Sequence, residues 1–283
     1  MVVSRGEVMY NLDVTYPAGV TGLLFDGPNQ IMNISDQLTN ITNIYQTVTY
    51  RFMPYIQGKT GDPICFNGRD TTITVHIQPT ARVTGSIVND VLCNGDNVSI
   101  SWTSPTTPYS GKEFNVTVVN DYPEISGYSD QTGLTDIDII TDPLTNSGDT
   151  VRMIRYVITP VLLDLAGLQS CPGVNDTVEV WVNPTPRVNP IATSHICYGA
   201  PTQITLTSPT VMKSGVIVFD YTITASALPS VVAGNRATAT GRPQGTLLAF
   251  TYTNESDTIQ SVSFHITPRV TGGSGCADGP IHT

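Results

Sequence analysis

The same set of short segments occurs three times along the chain, in the same order and at nearly constant spacing. LTN (38–40), LTN (144–146) and YTN (252–254) stand ten residues before VTYRFMP (48–54), IRYVITP (154–160) and VSFHITP (262–268). Three further sets are YNLDVT, FNVTVV and FDYTIT (10–15, 114–119, 219–224), TVHIQPTARV and EVWVNPTPRV (74–83, 179–188), and WTSPT and LTSPT (102–106, 206–210). All offsets lie between 104 and 108 residues. Because chance does not supply five such matches in one order, the chain is a tandem array with a period of about 105 residues.

Proline-containing motifs mark the boundaries between the repeats. QPTARV and NPTPRV each follow the last strand of a unit, where proline ends sheet pairing and favours an extended, semi-rigid connection. We therefore place unit one at 1–81, unit two at 82–186 and unit three at 187–283.

The first and last units are expected to be incomplete. Tyr10 corresponds to Phe114, which lies 21 residues after Cys93, so the equivalent cysteine of unit one would precede Met1. Unit three stops seven residues after Cys276, where unit two still has its VEVWVNP strand ahead. We expect an excerpt of a longer protein, with unit one truncated at its N-terminus and unit three at its C-terminus.

Apolar and polar residues alternate within each unit, as they do in a strand with one buried face. The equivalent inward sets are Ile73, Val75 and Ile77 in unit one and Val178, Val180 and Val182 in unit two. About seven such strands in roughly 105 residues, separated by Gly, Asn, Asp and Pro turns, are typical of an immunoglobulin-like sandwich. The sequence predicts an all-β chain of three tandem sandwich modules arranged as an extended rod. Only VLLDLAGLQS (161–170) has a composition compatible with a helix.

The charge excludes several classes of partner. The formal net charge is −10, from 13 Lys plus Arg against 23 Asp plus Glu, and no basic patch is present. Nothing would neutralise the phosphates of a nucleic acid or an anionic membrane surface. The sequence has no run of 18 apolar residues, so no membrane insertion is expected.

The five cysteines occupy two positions of the repeat. Cys93 and Cys197 are early in their units, whereas Cys65, Cys171 and Cys276 are late. Pairing within units gives Cys93–Cys171 and Cys197–Cys276 and leaves Cys65 as a free thiol. Pairing across the linkers gives Cys65–Cys93 and Cys171–Cys197. We favour the first pattern because each module then closes itself.

Regular disulfides imply an oxidising compartment and hence export. Closing a loop of about 80 residues is worth roughly 4.5 kcal/mol in the chain-entropy model. The alternative is a set of reduced, buried thiols. Zinc is not expected, since no CxxC motif or Cys/His cluster is present.

These motifs together resemble the PKD-like repeats of Bacteroidota surface proteins. The resemblance consists of an early CxG, LTN midway, YxxTP, a late CxG and a closing strand that ends in VNPTP, and it covers all three units. It is clearest in SCPGVNDTVEVWVNPTPRV (170–188), whereas unit one has QPTA for NPTP and unit three has YTN for LTN. The resemblance implies export by the type IX system, display on the outer surface, and duty in adhesion or as a stalk, as in the mobile adhesin of gliding motility.

Few residues suggest chemistry. The sequence has no GxSxG, HExxH or P-loop motif, and its four histidines are scattered. Asp136 and Asp138 are expected on one face of a strand, and with Asp142 they form a weak candidate calcium site, against the alternative of solvated charges. Trp181 is expected on the outward face of its strand, either as a platform for a sugar or packed against a neighbouring loop or module.

Four Asp-Thr-Thr or Asp-Thr-aliphatic triplets resemble the acceptor used for O-glycosylation of exported Bacteroidota proteins. Their threonines are Thr71, Thr150, Thr177 and Thr258. The alternative is ordinary turn-to-strand chemistry, in which Asp ends a turn and Thr begins a strand.

The functional hypothesis is a repeat-shaft fragment of a large cell-surface adhesin that supports attachment and gliding. Its expected partners are neighbouring repeats of the same long chain, a surface polysaccharide or substratum contacted by other parts of the protein, and, by resemblance, the type IX secretion and gliding machinery. The alternative is a set of accessory carbohydrate-binding repeats of a secreted polysaccharide-degrading enzyme. No catalytic residue and no cofactor other than the weak calcium candidate are expected.

Overall fold

The computed structural model describes residues 6–23, 27–30, 34–58, 60–61, 63–66, 68–273 and 275–283, and these residues form 24 β-strands. The strands of unit one are β1 (Glu7–Thr15), β2 (Val20–Thr21), β3 (Gly27–Gln30), β4 (Thr39–Asn40), β5 (Gln46–Gln57), β6 (Pro63–Cys65) and β7 (Thr71–Ile77). Those of unit two are β8 (Thr84–Ile87), β9 (Val91–Leu92), β10 (Ile100–Thr103), β11 (Lys112–Val119), β12 (Ile125–Ser126), β13 (Gln131–Leu134), β14 (Thr145–Asn146), β15 (Arg152–Leu163), β16 (Gln169–Pro172) and β17 (Asp176–Val182). Those of unit three are β18 (Ile204–Thr205), β19 (Val216–Ala225), β20 (Val232–Gly234), β21 (Thr238–Pro243), β22 (Leu247–Leu248), β23 (Tyr252–Asn254) and β24 (Val262–Thr271). The prediction of an all-β chain is confirmed, and within the described ranges no helix is long and apolar enough to cross a membrane.

The sequence repeat is also a repeat of strand pairing. One long antiparallel pair forms the centre of a sheet in each unit: β1 with β5, β11 with β15, and β19 with β24. The aromatic residue of the YNLDVT-type segment lies opposite the proline of the VTYRFMP-type segment every time. These pairs are Tyr10–Pro54, Phe114–Pro160 and Phe219–Pro268. The sequence alignment of the three units therefore holds residue by residue along their central strands.

Unit two is a two-layered sandwich of the immunoglobulin-like type. Its larger sheet has the strand order β13–β11–β15–β17–β9, with β16 beside the end of β15. The smaller pairs β8–β10 and β12–β14 contribute residues to the other side of the same core. Phe114, Tyr156 and Val180 of the larger sheet pack with Ile100 and Trp102, and all five are at most 4% exposed.

Units one and three repeat the central sheet, and each has a core of its own. The sheet of unit one has the order β3–β1–β5–β6, with β7 also paired to β5, and its core contains Leu12, Val14 and Tyr50. The sheet of unit three has the order β21–β19–β24, and its core contains Phe219 and Ile266.

The inward face predicted for β7 is not buried. Val178 and Val180 of β17 are 7% and 0% exposed, but their counterparts Ile73 and Val75 are 51% and 37% exposed. In unit two Gly85 of β8 lies directly against Val178, whereas the described part of unit one contains no counterpart of β8 and β10. The alternation predicted the strand correctly and its burial wrongly, because burial requires a second layer.

Residues 161–170 form the end of a strand and a hairpin, not a helix. The Asp164 carboxylate accepts hydrogen bonds from the backbone amides of Ala166 (2.8 Å) and Leu168 (2.9 Å). This turn reverses the chain between β15 and β16, which then pair with each other.

The asparagine of the LTN and YTN segments holds the same turn in every unit. It donates from Nδ2 to the carbonyl oxygen four residues later and accepts at Oδ1 from the amide two residues later. The three residues are Asn40, Asn146 and Asn254. In the first two units Nδ2 also donates to the end of the neighbouring strand, at Ile77 (3.1 Å) and Val182 (2.8 Å). The motif ties the turn before the long central strand to the strand that closes the sheet.

Candidate functional site at the junctions between units

The two junctions between consecutive units contain the same backbone contact. Ile44 forms a parallel β-bridge with Thr107, and Thr150 forms one with Val211. Each bridge has two backbone hydrogen bonds, with N–O distances between 2.7 and 3.0 Å. Thr107 and Val211 are equivalent positions of the repeat, as are Ile44 and Thr150, so the same surfaces meet twice.

An amide side chain makes the second contact of each junction. Gln78 Oε1 accepts a hydrogen bond from the backbone amide of Tyr109 (2.9 Å), and Asn183 Oδ1 accepts one from that of Lys213 (2.8 Å). Asn183 is completely buried. The side chain of the first residue of the QPT and NPT motifs therefore accepts a hydrogen bond from the backbone of the next unit. This role was not predicted from the sequence. The repetition of an amide residue before the proline was the available signal.

An aromatic ring at the end of the closing strand makes the third contact. The His76 ring stacks on Tyr109 with a centroid separation of 4.2 Å and an interplanar angle of 14°. At the equivalent position Trp181 carries the Lys213 ammonium 3.5 Å from its ring centroid, a cation–π contact. Trp181 therefore packs against the segment that contains Lys213, in agreement with the expected packing against a neighbouring loop or module. The lysine covers one face of the ring, which disfavours its use as a sugar platform.

The SPT segments fix the linkers. Ser104 Oγ donates to Arg82 O (2.7 Å), and Arg82 N donates to Thr106 Oγ1 (3.0 Å). The equivalents in unit three are Ser208, Arg187 and Thr210, at 2.5 and 2.9 Å. In each linker, both the backbone amide and the backbone carbonyl of the arginine are hydrogen-bonded to the next unit. These bonds restrict the conformation of the linker.

The glycines that follow Cys171 and Cys276 each lie directly against the backbone of an incoming linker. A Cβ atom on Gly173 would collide with the carbonyl oxygen of Ala81, and one on Gly279 with that of Pro186. We call this the incoming end of a unit. The outgoing end is the opposite end of the sheet, where β17 finishes at Val182 beside β9.

One disulfide is present among the residues that the structure describes, and it is not one of the predicted pairs. Cys93 of unit two is bonded to Cys276 of unit three, with Cα atoms 5.3 Å apart and a sequence separation of 183. Cys65, Cys171 and Cys197 are exposed and free. The expected pairs Cys93–Cys171 and Cys197–Cys276 are therefore wrong in this structure, and so are the alternative pairs across the linkers.

The geometry of the sheet explains why Cys93 cannot reach Cys171. Cys171 lies opposite Leu162 near one end of β15, whereas Cys93 follows the strand that pairs with β17 at Val182, opposite Arg152 at the other end. Ten residues of strand separate the two ends, which is about 33 Å. A disulfide requires Cα atoms within about 7 Å.

The three carboxylates of the candidate calcium site are held by different neighbours. Asp136 and Asp138 lie in a turn after β13, not on a strand. Asp136 forms an ion pair with Lys112 (3.2 Å). Asp138 accepts hydrogen bonds from the amide and hydroxyl of Thr135, and the backbone bond is the main reason that its pKa is lowered. Within the described ranges no three His, Cys, Asp or Glu residues are placed to hold a metal ion.

Asp142 is a core residue. It is 6% exposed and accepts hydrogen bonds from the Tyr156 hydroxyl (2.9 Å) and from Ser129. Burial, followed by this bond to Asp142, raises the pKa of Tyr156 well above its usual value. Tyr50 and Asp36 form the same pair in unit one, where burial and the hydrogen bond raise the pKa of Tyr50 to about 12.

Unit three replaces this tyrosine–aspartate pair with two rings. Phe250 and Phe264 stand at the equivalent positions, again 14 residues apart, and their rings stack at 6.3 Å. Because both positions are phenylalanine in unit three, no buried carboxylate is left there without a hydrogen-bond donor. Asp142 therefore serves the core of unit two, and sequence reasoning misread it because the fixed 14-residue spacing was not compared between units.

The four threonines proposed for O-glycosylation lie in different environments. Thr71, Thr177 and Thr258 are exposed, whereas Thr150 is half-buried and forms the bridge to Val211. Each lies at or near the start of a strand, as the turn-to-strand alternative requires. Glycosylation stays a prediction, and Thr150 is the least accessible of the four.

A comparison with protein families gives a match within unit two. Residues 90–186 match the family model described as a PKD-like domain, which covers most of unit two. Curated proteins give no significant match.

Two solved structures are similar over almost the whole chain. The Escherichia coli adhesin FdeC is 15% identical, over 99% of this chain and 86% of its own, with a TM-score of 0.35. The FN1–FN3 domains of chicken CNTN1 are 9% identical, over 98% and 87%, with a TM-score of 0.28. At these TM-scores neither likeness bears on function.

Proposed function

We propose that this chain is part of the shaft of a large cell-surface adhesin, in which PKD-like units are stacked end to end. The observation that carries the proposal is that both junctions are built from equivalent residues. The outgoing end of one unit contacts the incoming side of the next through a bridge, an amide and a ring each time. A surface used twice in the same way is suited to repetition along a filament.

The proposed shape is an extended rod of three modules. The central strand of unit two has 12 residues, so a unit is about 40 Å long at roughly 3.3 Å per residue. The linker residues Arg82 and Arg187 are held by serine and threonine side chains. Short, fixed linkers at opposite ends of each unit favour stacking over folding back.

The proposed location is the outside of the cell. A disulfide between Cys93 and Cys276 requires an oxidising compartment. The motif resemblance adds the finer hypothesis of type IX export, association with the outer membrane and a role in gliding motility. Attachment to a polysaccharide or other substratum is assigned to other parts of such a protein.

We propose no catalytic activity and no bound cofactor for the chain itself. Asp136, Asp138 and Asp142 are each engaged by separate neighbours. The alternative function as carbohydrate-binding repeats is disfavoured because Lys213 occupies one face of the Trp181 ring.

Small-angle X-ray scattering of the chain tests the shaft hypothesis. A rod of three 40 Å units should have a maximum dimension of about 110–130 Å and a radius of gyration of about 35 Å. A compact domain of this length has a radius of gyration of about 19 Å. A value near 19 Å would contradict stacking and remove the basis for the proposed shaft.

A further inference from the structure

The Cys93–Cys276 disulfide joins two units beside the peptide linker that already connects them. Cys93 follows the outgoing end of unit two, and Cys276 precedes Gly279, which lies under the linker at Pro186. Asn183 of the linker is buried next to this disulfide, with Nδ2 3.9 Å from Cys276 Sγ. The second covalent connection is therefore an integral part of the junction.

The two bonded cysteines represent the two cysteine positions of the repeat. Cys93 is early in its unit, as is Cys197, and Cys276 is late, as are Cys65 and Cys171. The bond therefore runs from the early position of one unit to the late position of the following unit. The three remaining cysteines are exposed and free, and each occupies a position that is bonded elsewhere in the chain.

The early position has the same local structure whether or not it is bonded. At Cys93 the amide of Asp96 donates to the cysteine carbonyl (3.1 Å), and the amide of Gly95 donates to Leu144 (2.8 Å). At Cys197 the corresponding bonds run from Ala200 to the cysteine carbonyl (3.0 Å) and from Gly199 to Tyr252 (3.0 Å). Both turns contain a glycine with positive φ, 90° and 72° respectively. The turn that presents the bonded cysteine is thus already formed at Cys197.

We propose that Cys197 is an attachment site for the late cysteine of a following unit of the same PKD-like type, and that Cys65 and Cys171 accept the early cysteine of a preceding unit. In such an array every junction would be spanned by a linker and a disulfide. The proposal rests on the proposed function as a tandem shaft.

The reaction is the oxidation of two thiols. Both lose their protons, one sulfur–sulfur bond forms, and the two electrons reduce a disulfide oxidant such as oxidised glutathione to two thiols. Because the partner cysteines are brought together by the junction, the bond should form only between correctly stacked units.

A longer chain tests the pairing rule directly. His282 lies opposite Ile266 as Asp176 lies opposite Ile158, so residues 178–283 can be appended after Thr283 to complete unit three and add a fourth unit. After refolding with oxidised and reduced glutathione, peptide mapping without reductant should find Cys197 joined to the second copy of Cys276.

The matched control carries serine at the second copy of Cys276 and should leave Cys197 open to alkylation. A free Cys197 in the extended chain, or a bond from Cys197 to Cys171, would overturn the proposal. If the extension does not fold, mapping of the 283-residue chain decides instead, since a Cys93–Cys171 bond there would also overturn it. An extended shape in scattering together with a free Cys197 would reject the disulfide rule and leave the shaft hypothesis standing.

Discussion

Residues at equivalent positions of this repeat make equivalent contacts even where their identities differ. Asn40, Asn146 and Asn254 keep both the side chain and its turn. At the junctions His76 and Trp181 differ in chemistry, yet each ring receives the same loop of the next unit. Recurrence in the sequence indicated which residue positions have a structural role. It did not predict their contacts, because the contacting residues lie far away in the chain.

Replacing Asn146 with alanine should destabilise unit two by about 2–3 kcal/mol, because the carbonyl oxygens of half-buried Thr150 and buried Val182 lose their donor. Asn254→Ala is the matched control. Asn254 is only half-buried and donates to Thr258 alone among the described residues, so its loss should be about 1 kcal/mol. Chemical unfolding measures both, and equal losses would show that the bond to the closing strand contributes little.

Tyr156 should make the fold sensitive to alkaline pH. Its pKa is raised in the folded chain, first by burial and then by the bond to Asp142, whereas an unfolded tyrosine ionises near pH 10. The unfolded state then binds fewer protons than the folded state, so the free energy of unfolding falls as pH rises above about 10.

The variant Tyr156→Phe separates this effect from general alkaline damage. It should be less stable at pH 7, because Asp142 loses a buried donor. It should also lose less stability than the parent between pH 10 and 12, because it lacks the ionising group. Melting temperatures measured across this range check the sign, and parallel curves for the two proteins would contradict it.

At the scale of elements, periodicity predicted the long strands well and their surroundings poorly. β5, β15 and β17 follow the expected alternation. The exposure of Ile73 was not predicted, because burial of this side chain requires a second layer. The hairpin at 161–170 was not predicted, because its turn depends on the side chain of Asp164. The disulfide was missed because sequence spacing does not indicate which end of a sheet a cysteine occupies.

The ring contact at the second junction should be measurable as a coupling between two units. A double-mutant cycle with Trp181→Leu and Lys213→Met should give a coupling free energy of about 0.5–1 kcal/mol, typical of an exposed cation–π pair. Lys112→Met, combined with Trp181→Leu, is a control in which the lysine contacts Asp136 instead. A coupling no larger than that of the control would mean that the ring and the ammonium act independently.

At the scale of the whole molecule, the contacts at the junctions determine how the units are placed relative to one another. The three cores are separate clusters, so their relative placement depends on a few contacts at each boundary. Repetition in the sequence predicted that the same long antiparallel strand pair recurs along the chain. It did not reveal that the ends of the units are specialised, with a late cysteine at the incoming end and an early one at the outgoing end.

The disulfide beside the second linker has a consequence for damage by proteases. Trypsin cleavage after Arg187 would sever the linker, but residues 1–187 and 188–283 would remain joined through Cys93 and Cys276. Electrophoresis after limited digestion should show an undivided species without reductant and two pieces with it, whereas Cys93→Ser should divide in both cases. Division of the parent chain without reductant would contradict this. A filament built this way survives a cut in its backbone and comes apart only when it is both cut and reduced.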